Sequence, residues 1–263
     1  MLELITRLPE VTAKATPLLF VHGAWHGAWC WDEYFLPYFA QQGYASYALS
    51  LRGHGNSPGR ERLRWTRLAE YVEDVAQIVA QLPTPPVIIG HSMGGFVVQK
   101  YLEKYGAAAA VLLAAAPPTG VIKTTLNIAR HHPLTFLKVN LKMSLYPLVA
   151  TPELAREHFF SATMPDAQVA QYQQRLQDES YLGFLDMLLL NLVKTKRVKR
   201  VPMLVLGGAT DTIFATTEVA RTAAAYHTTA HIFPDTAHDL MLEANWQAVA
   251  THILHWLETT LTP

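Results

Sequence analysis

The chain has 263 residues, of which 50% are hydrophobic and 16% are charged, so it can bury a sizeable core and is not expected to be disordered. Its 21 Lys and Arg residues balance its 21 Asp and Glu residues. This balance argues against a nucleic-acid-binding protein and against one held to anionic membranes by its net charge. The one cysteine, Cys30, excludes an internal disulfide and favours a reducing compartment.

The first residues lack the pattern of a secretory signal peptide. They carry acids at Glu3 and Glu10 and have no long apolar stretch. The longest apolar run, from Ala107 to Ala116, is too short to cross a bilayer. We therefore expect a cytoplasmic protein with no integral membrane association. The sequence does not predict an oligomeric state.

Short aliphatic runs predict the strands. Several of these runs are apolar throughout rather than alternating, which is typical of strands covered on both faces of a parallel sheet. The predicted strands begin at Pro17, Tyr44, Pro86, Ala110, Pro202 and Thr229.

Helical patterns alternate with these strands. Such repeated strand–helix units predict an α/β fold with a doubly wound, mostly parallel sheet. The predicted helices are Trp31–Gln42, Arg67–Leu82, Met93–Tyr105, Thr217–Tyr226 and Trp246–Thr260.

One long segment interrupts the alternation. Between Thr119 and Lys199 no strand is predicted, only helical pieces punctuated by prolines. The pair Thr151-Pro152 is typical of a helix start, with threonine as the N-cap and proline in the first turn. So long a helical stretch exceeds an ordinary crossover. Residues 119–199 are therefore predicted to form an inserted helical cap on a core of residues 1–118 and 200–263.

The motif GHSMGG places Ser92 where the strand from Pro86 gives way to a helix. A serine in such a turn has strained backbone angles, and Gly90 and Gly94 allow the strand and helix to approach closely. The turn exposes the hydroxyl and leaves the Met93 amide free at the helix N-terminus, where an anion is stabilised. The motif predicts a nucleophilic serine, although a plain glycine-rich turn would give the same short pattern.

A serine nucleophile needs a base that is itself oriented by an acid. His238 is the best candidate base because it follows the last predicted strand, at the edge of the sheet where catalytic groups gather. Asp211, Asp235 and Asp239 are candidate acids. Asp211 follows the preceding strand, whereas the other two are too near His238 in sequence to reach around its ring comfortably. We therefore predict that Ser92, Asp211 and His238 act together.

The loop HGAWHG follows the first strong strand and predicts an oxyanion site at the same edge of the sheet. The amide of Trp25, or that of Ala24, is expected to pair with the amide of Met93. His22 and His26 lie four residues apart in this loop. No cysteine or carboxylate is near them in sequence, so a metal site is not predicted.

Together these motifs resemble the α/β-hydrolase superfamily. Besides HGAWHG and GHSMGG, the chain carries LRGHGNS, and GGATD followed by AHDLMLE, so the resemblance runs from Leu18 to Leu257. It implies the α/β-hydrolase fold and a serine hydrolase with the chain order Ser92, Asp211, His238. Within the superfamily, the chain is similar to small cap-bearing esterases and lysophospholipase-like members.

The stretch HGAWHGAWCW also resembles the branch of plant methylesterases and hydroxynitrile lyases. Two departures speak against a lyase. Asp239 follows the catalytic histidine where those lyases carry a lysine that holds cyanide, and His91 precedes the nucleophile where they tend to have glutamate. Dehalogenases and epoxide hydrolases of this fold use aspartate as nucleophile, so Ser92 excludes them.

The resemblance and the apolar cap predict hydrolysis of carboxylic esters with an apolar, short- to medium-chain acyl group, through an acyl-enzyme and with no cofactor. A small-molecule ester is the only partner predicted. Carbon–carbon bond hydrolases, hydroxynitrile lyases, acyltransferases and slow-turnover receptors on the same triad remain alternatives. The candidate pocket residues in the cap are Phe136, Met143, Phe184 and Met187.

Overall fold

A seven-stranded sheet runs through the centre of the computed structural model, which describes residues 1–261. Its strands are β1 (Leu4–Arg7), β2 (Leu18–Val21), β3 (Ser46–Leu49), β4 (Val87–His91), β5 (Ala109–Leu113), β6 (Met203–Gly208) and β7 (Ala230–Phe233). The strand order is β1-β3-β2-β4-β5-β6-β7, and β1 alone of these strands runs antiparallel to its neighbour. The predicted mostly parallel α/β sheet is confirmed.

All six predicted strands are present, and most of them are covered on both faces. Every residue of β2, β4 and β5 is buried. The strand that sequence reasoning missed is β1, which pairs with β3 in the register Leu4↔Leu49. It has four residues, all at least partly exposed, at the edge of the sheet, so it lacks the apolar run that marks the others.

The helices of the first half of the chain are α1 (Trp29–Asp32), α2 (Phe35–Gln41), α3 (Leu68–Val79) and α4 (Met93–Leu102), with a short 3-10 helix at Arg60–Trp65. The single helix predicted over Trp31–Gln42 is thus two helices. Pro37 explains the break, since it cannot donate a hydrogen bond to the carbonyl of Glu33 and is tolerated only in the first turn of a helix. Helix α4 is buried on all sides, which fixes the turn that precedes it.

Between β5 and β6, the structure within residues 119–199 is helical, and this segment is called the helical insertion below. Its helices are α5 (Ile122–His131), α6 (Pro133–Lys142), α7 (Pro152–Phe159), α8 (Asp166–Gln173) and α9 (Tyr181–Leu185). A π-helical turn (Asp186–Leu190) and 3-10 helices (Tyr146–Leu148, Thr195–Arg197) complete it. As predicted, Thr151 caps α7 by accepting a hydrogen bond from the Leu154 amide at 3.3 Å.

Helices α10 (Thr216–Ala225) and α11 (Trp246–Leu261) complete the fold. Both begin within one residue of the predicted helices. No helix in the described part of the chain is long and apolar enough to cross a membrane.

Two buried carboxylates tie the helical insertion to the rest of the fold. Glu179 accepts a hydrogen bond from Tyr71 Oη at 2.7 Å and lies 3.0 Å from His54 Nε2. Asp186, fully buried, accepts a hydrogen bond from Arg67 Nε at 2.8 Å. A buried charge that lost its partner would be strongly destabilising, so these contacts fix where the insertion sits.

Candidate active site

Ser92 lies in the sharp turn between β4 and α4. Its backbone is at φ 50° and ψ −118°, which residues other than glycine rarely adopt. A Cβ at Gly90 would lie 2.6 Å from the Gly94 carbonyl oxygen, and one at Gly94 would lie 2.4 Å from the His22 carbonyl oxygen. Both positions therefore need glycine for the strand, turn and helix to pack this closely. The strained turn is held by the Ser92 amide, which donates to the Leu113 carbonyl at 3.1 Å.

Asp211 and His238 meet beyond the carboxyl ends of β6 and β7. His238 Nδ1 lies 2.9 Å from Asp211 Oδ2, and both side chains are buried. The other carboxylate oxygen of Asp211 accepts hydrogen bonds from the amides of Ile213, at 2.7 Å, and Phe214, at 3.0 Å. Because an ionised carboxylate only accepts, the imidazole proton is placed on Nδ1. This tautomer leaves Nε2 free to act as a base.

Sequence reasoning missed the hydrogen bonds that the amides of Ile213 and Phe214 donate to Asp211. Aspartate commonly accepts hydrogen bonds from amides shortly after it in the chain, and the stretch TDTIF directly after a strand carries that signal. Of the rejected acids, Asp235 is exposed and forms no hydrogen bond or ion pair within residues 1–261. Asp239 is buried but has a different partner, described below.

His238 lies beside the serine turn. Its ring centroid is 4.8 Å from that of His91, the residue before Ser92, and 5.5 Å from that of Phe214. In the described chain, Ser92 Oγ and His238 Nε2 do not form a hydrogen bond. Such bonds are often loose before substrate binds and tighten only in the reacting complex.

The surroundings of His238 raise its pKa above the ordinary value. Burial acts to lower the pKa, but the charge and hydrogen bond of Asp211, together with the charge of Asp239, outweigh it. The neutral imidazole that a general base requires therefore predominates only at a pH above 6.5.

The loop after β2 presents amides without acceptors. Trp25 is held at φ 66°, a strained value for a bulky residue. Its carbonyl accepts a hydrogen bond from the Gln177 amide at 2.9 Å, and its Nε1 donates to the Leu145 carbonyl at 3.2 Å. Both partners belong to the helical insertion. Among the hydrogen bonds of the described residues, none uses the amide of Ala24, Trp25 or Met93, so each is free to donate to an oxyanion.

A buried ion pair joins this loop to the residue after His238. His26 Nε2 lies 2.9 Å from Asp239 Oδ2, and His26 Nδ1 lies 2.7 Å from the Ala24 carbonyl oxygen. The ring of His26 thus links the Ala24 carbonyl to the buried carboxyl group of Asp239. Burial acts to raise the pKa of Asp239, but the electrostatic interaction and the hydrogen bond with His26 outweigh burial and hold that pKa below its ordinary value. Sequence reasoning missed this pair.

His91 supports the backbone of His238. Its Nε2 donates to the His238 carbonyl at 3.0 Å, while its buried Nδ1 has no hydrogen-bond partner in the described chain. Burial and the neighbouring charge of His238 lower the pKa of His91 to about 3. His91 is therefore neutral near pH 7 and adds no positive charge beside the serine.

A narrow apolar cavity lies beside Ser92. Its volume, counted together with its opening to solvent, is about 680 Å³. Its lining contains no charged residue. Three of the four candidate pocket residues, Phe136, Phe184 and Met187, line it. The remaining lining residues are Ala24, Trp25, Met93, Ala116, Val121, Thr124, Thr125, Ile128, Val139, Leu145, Leu148, Ile213 and Phe214.

Met143, the fourth candidate pocket residue, does not line the cavity. It follows Phe136 and Val139 at helical spacing and would share their face if α6 continued. The helix ends at Lys142, however, and Met143 adopts a left-handed conformation at φ 46°. The chain therefore leaves the helical path at this residue.

One group in the described chain brings candidate metal ligands together. His91, His238 and Asp239 offer ligand atoms within 4.8 Å of one another. Nδ1 of His238 and Oδ2 of Asp239 are already engaged by Asp211 and His26. We therefore assign no metal to this group, and the absence of a metal stays a prediction.

The parallel sheet, the serine turn and the buried histidine–aspartate pair at one edge define an α/β-hydrolase arrangement. The chain belongs to the alpha/beta hydrolase family, whose sequence pattern matches residues 18–252.

Relatives within the family carry several activities in their names. A non-heme haloperoxidase of Rhodococcus erythropolis is 27% identical over 268 residues, covering 92% of each chain. Methylesterase 2 of Arabidopsis thaliana is 33% identical over 89 residues, which is 33% of this chain and 34% of that protein. The solved structure of a monoacylglycerol lipase from Paleococcus ferrophilus aligns over 99% of both chains with a TM-score of 0.74 and 22% identity. At that identity, the structural likeness shows the fold alone.

Proposed function

We propose that the protein hydrolyses carboxylic esters through an acyl-enzyme on Ser92. The observation that carries the proposal is the His238–Asp211 pair, which holds its imidazole in the tautomer of a general base beside a strained serine turn. The local similarity to a methylesterase supports the same reaction class.

Each group has a defined role in the proposed reaction. His238 Nε2 takes the proton of Ser92 as the serine oxygen attacks the ester carbonyl. The negative charge that forms on the carbonyl oxygen is stabilised by the Met93 amide together with that of Trp25 or Ala24. The imidazolium then gives its proton to the leaving alcohol, and water activated by the same imidazole releases the acid.

The helical insertion acts in this proposal as the cap that selects the acyl group. It contributes Phe136, Val139, Phe184 and Met187 to the cavity. A narrow lining without charges favours an apolar acyl chain of short to medium length over a charged substrate. Residues 1–118 and 200–263 then form the catalytic core.

Cyanohydrin cleavage is not part of the proposal. The carboxyl group of Asp239 stands where lyases of this fold place a lysine, and it is paired with the ring of His26. No unpaired cation is therefore offered to cyanide by this pair.

Hydrolysis of p-nitrophenyl esters of rising chain length tests the proposal, with mandelonitrile cleavage assayed in parallel. The wild type should hydrolyse the esters and leave mandelonitrile intact. Ser92→Ala should lower kcat by several orders of magnitude and abolish labelling by a fluorophosphonate, with an unchanged melting temperature. Thr125→Val is a matched control, since it removes another cavity hydroxyl, one bonded to the Val121 carbonyl, and it should still be labelled.

Four results would contradict the proposal. Labelling that persists in Ser92→Ala would show that Ser92 is not the nucleophile. A loss of only a few-fold in kcat would do the same. Rapid cyanohydrin cleavage that depends on Ser92 would move the protein to the lyases, and labelling without ester turnover would favour a receptor.

A further inference from the structure

Helix α6 has apolar side chains on two opposite faces. Phe136 and Val139 line the cavity. Leu134, Leu137 and Leu141 are 74%, 54% and 75% exposed. A spacing of three and four residues puts these leucines on one side of the helix, away from the face of Phe136 and Val139. One helix thus roofs the cavity and presents a stripe of leucine to the outside.

The outer face of α6 is also cationic. Lys138 and Lys142 lie on the same side as the leucines, and neither forms an ion pair within the described chain. From Thr119 to Pro152 the sequence contains four Lys and Arg residues and no Asp or Glu.

Acids from other elements reach only the edges of this region. Glu218 lies 3.3 Å from Lys123, at the start of α5, and Glu157 lies 2.7 Å from His132, before α6. The leucine stripe and its two lysines have no acidic neighbour among these contacts.

We propose that this outer face docks on an anionic lipid surface. The docking face consists of Leu134, Leu137, Lys138, Leu141 and Lys142 of α6. Scattered exposed leucines are ordinary in proteins, but a leucine stripe flanked by lysines is the pattern of helices that lie in the headgroup region of a bilayer. The leucines would enter the boundary of the acyl chains, and the lysines would meet lipid phosphates.

A second copy of the chain fits this face less well. Symmetric dimers bury the same patch on both partners. Such an interface would bring Lys138 and Lys142 of one copy against those of the other, with no acid on the face to separate them. Anionic lipid supplies the missing negative charge. The balanced net charge of the whole chain does not oppose docking, because the segment from Thr119 to Pro152 carries only cations.

Docking on lipid goes beyond the proposed ester hydrolysis and does not depend on it. The test therefore uses Ser92→Ala protein, so that lipid turnover cannot alter the vesicles. Cosedimentation is measured with vesicles of phosphatidylcholine alone and with about 30% phosphatidylglycerol. We expect binding to the anionic vesicles that weakens with salt.

Two variants test the docking face, and a third variant serves as the control. Leu134→Ser combined with Leu137→Ser and Leu141→Ser should weaken binding by about tenfold or more. Lys138→Gln combined with Lys142→Gln should weaken binding to the anionic vesicles on the order of tenfold. The control, Leu8→Ser with Val11→Ser, removes side chains that are 61% and 56% exposed near the opposite ends of the strands, and it should bind normally.

Turnover of a short soluble ester by the same variants, made with Ser92 intact, separates docking from folding and catalysis. The leucine variant should keep that turnover, because its altered side chains do not line the cavity. Several results would overturn the proposal: no binding to either vesicle, equal binding by the leucine and control variants, or equal binding to neutral and anionic vesicles. A wild-type dimer that the leucine variant converts to a monomer would assign the face to a second copy instead.

Discussion

Asparagine at position 211 should lock His238 in the wrong tautomer. One carboxylate oxygen of Asp211 accepts hydrogen bonds from the amides of Ile213 and Phe214. The asparagine oxygen must face these two donors, so its NH₂ group must face His238 Nδ1. Two donors cannot share a hydrogen bond, so the imidazole proton moves to Nε2. That nitrogen can then no longer accept the Ser92 proton, and kcat should fall on the order of 10²–10⁴.

Asp239→Asn should mainly reduce stability rather than turnover. It removes the carboxylate that faces His26 in a fully buried pair, which should lower the free energy of unfolding by about 3–5 kcal/mol. For a chain of this length, the melting temperature should drop by roughly 6–20 °C. The hydrogen bond between His238 Nδ1 and Asp211 stays, so kcat should fall far less than in Asp211→Asn.

Asp235→Asn is the matched control. Asp235 is exposed at φ 51°, a conformation that asparagine tolerates, so neither turnover nor melting should change appreciably. The three variants are compared by kcat on a p-nitrophenyl ester below the lowest melting temperature, and by thermal unfolding. If Asp235→Asn or Asp239→Asn removes turnover while Asp211→Asn retains it, the assignment of the acid is wrong.

Three further predictions follow from the same geometry. The raised pKa of His238 should put the acidic limb of kcat/KM above pH 6.5, and the limb should move to lower pH when Asp211 no longer supplies its charge. Phe184→Ala should shift the optimal acyl chain to longer esters, because each added methylene that enters the enlarged cavity contributes up to about 0.8 kcal/mol of binding free energy. Met143→Ala should leave the optimum unchanged, since Met143 does not line the cavity. The same optimum in both variants would contradict the proposal that the cavity selects the acyl chain. Gly94→Ala should lower the free energy of unfolding by at least roughly 1–3 kcal/mol, since its Cβ would lie 2.4 Å from a backbone oxygen; an unchanged melting temperature would contradict the packing of the turn.

The sequence predicts most of the sheet and singles out Ser92, Asp211 and His238 because their signals are local. Five of the six predicted strands are largely buried and carry apolar runs, and the turn around Ser92 carries its glycines. The features that the sequence does not predict depend on a few residues each. The edge strand β1 has no buried residue, and Pro37 splits one predicted helix into two.

Pairs that are distant in sequence leave no local pattern. His26 and Asp239 lie 213 residues apart, and no motif around either residue indicates that the two pair. Sequence reasoning weighed Asp239 as a candidate acid and as a departure from the lysine of the lyases. In the structure it is paired with His26, so the argument against a lyase rests on the lack of an unpaired cation at this pair.

Trp25 shows why the helical insertion and the proposed chemistry are not independent. Its strained backbone orients the loop amides, and its hydrogen bonds go to Gln177 and Leu145, both in the insertion. Leu145 also lines the cavity. A movement of the insertion that changes the shape of the cavity must therefore also move this loop, which supplies an oxyanion donor in the proposed reaction. Under the proposed function, an acyl chain that fits the cavity poorly should thus lower kcat as well as raise KM, because misplaced donors lose energy mainly in the transition state.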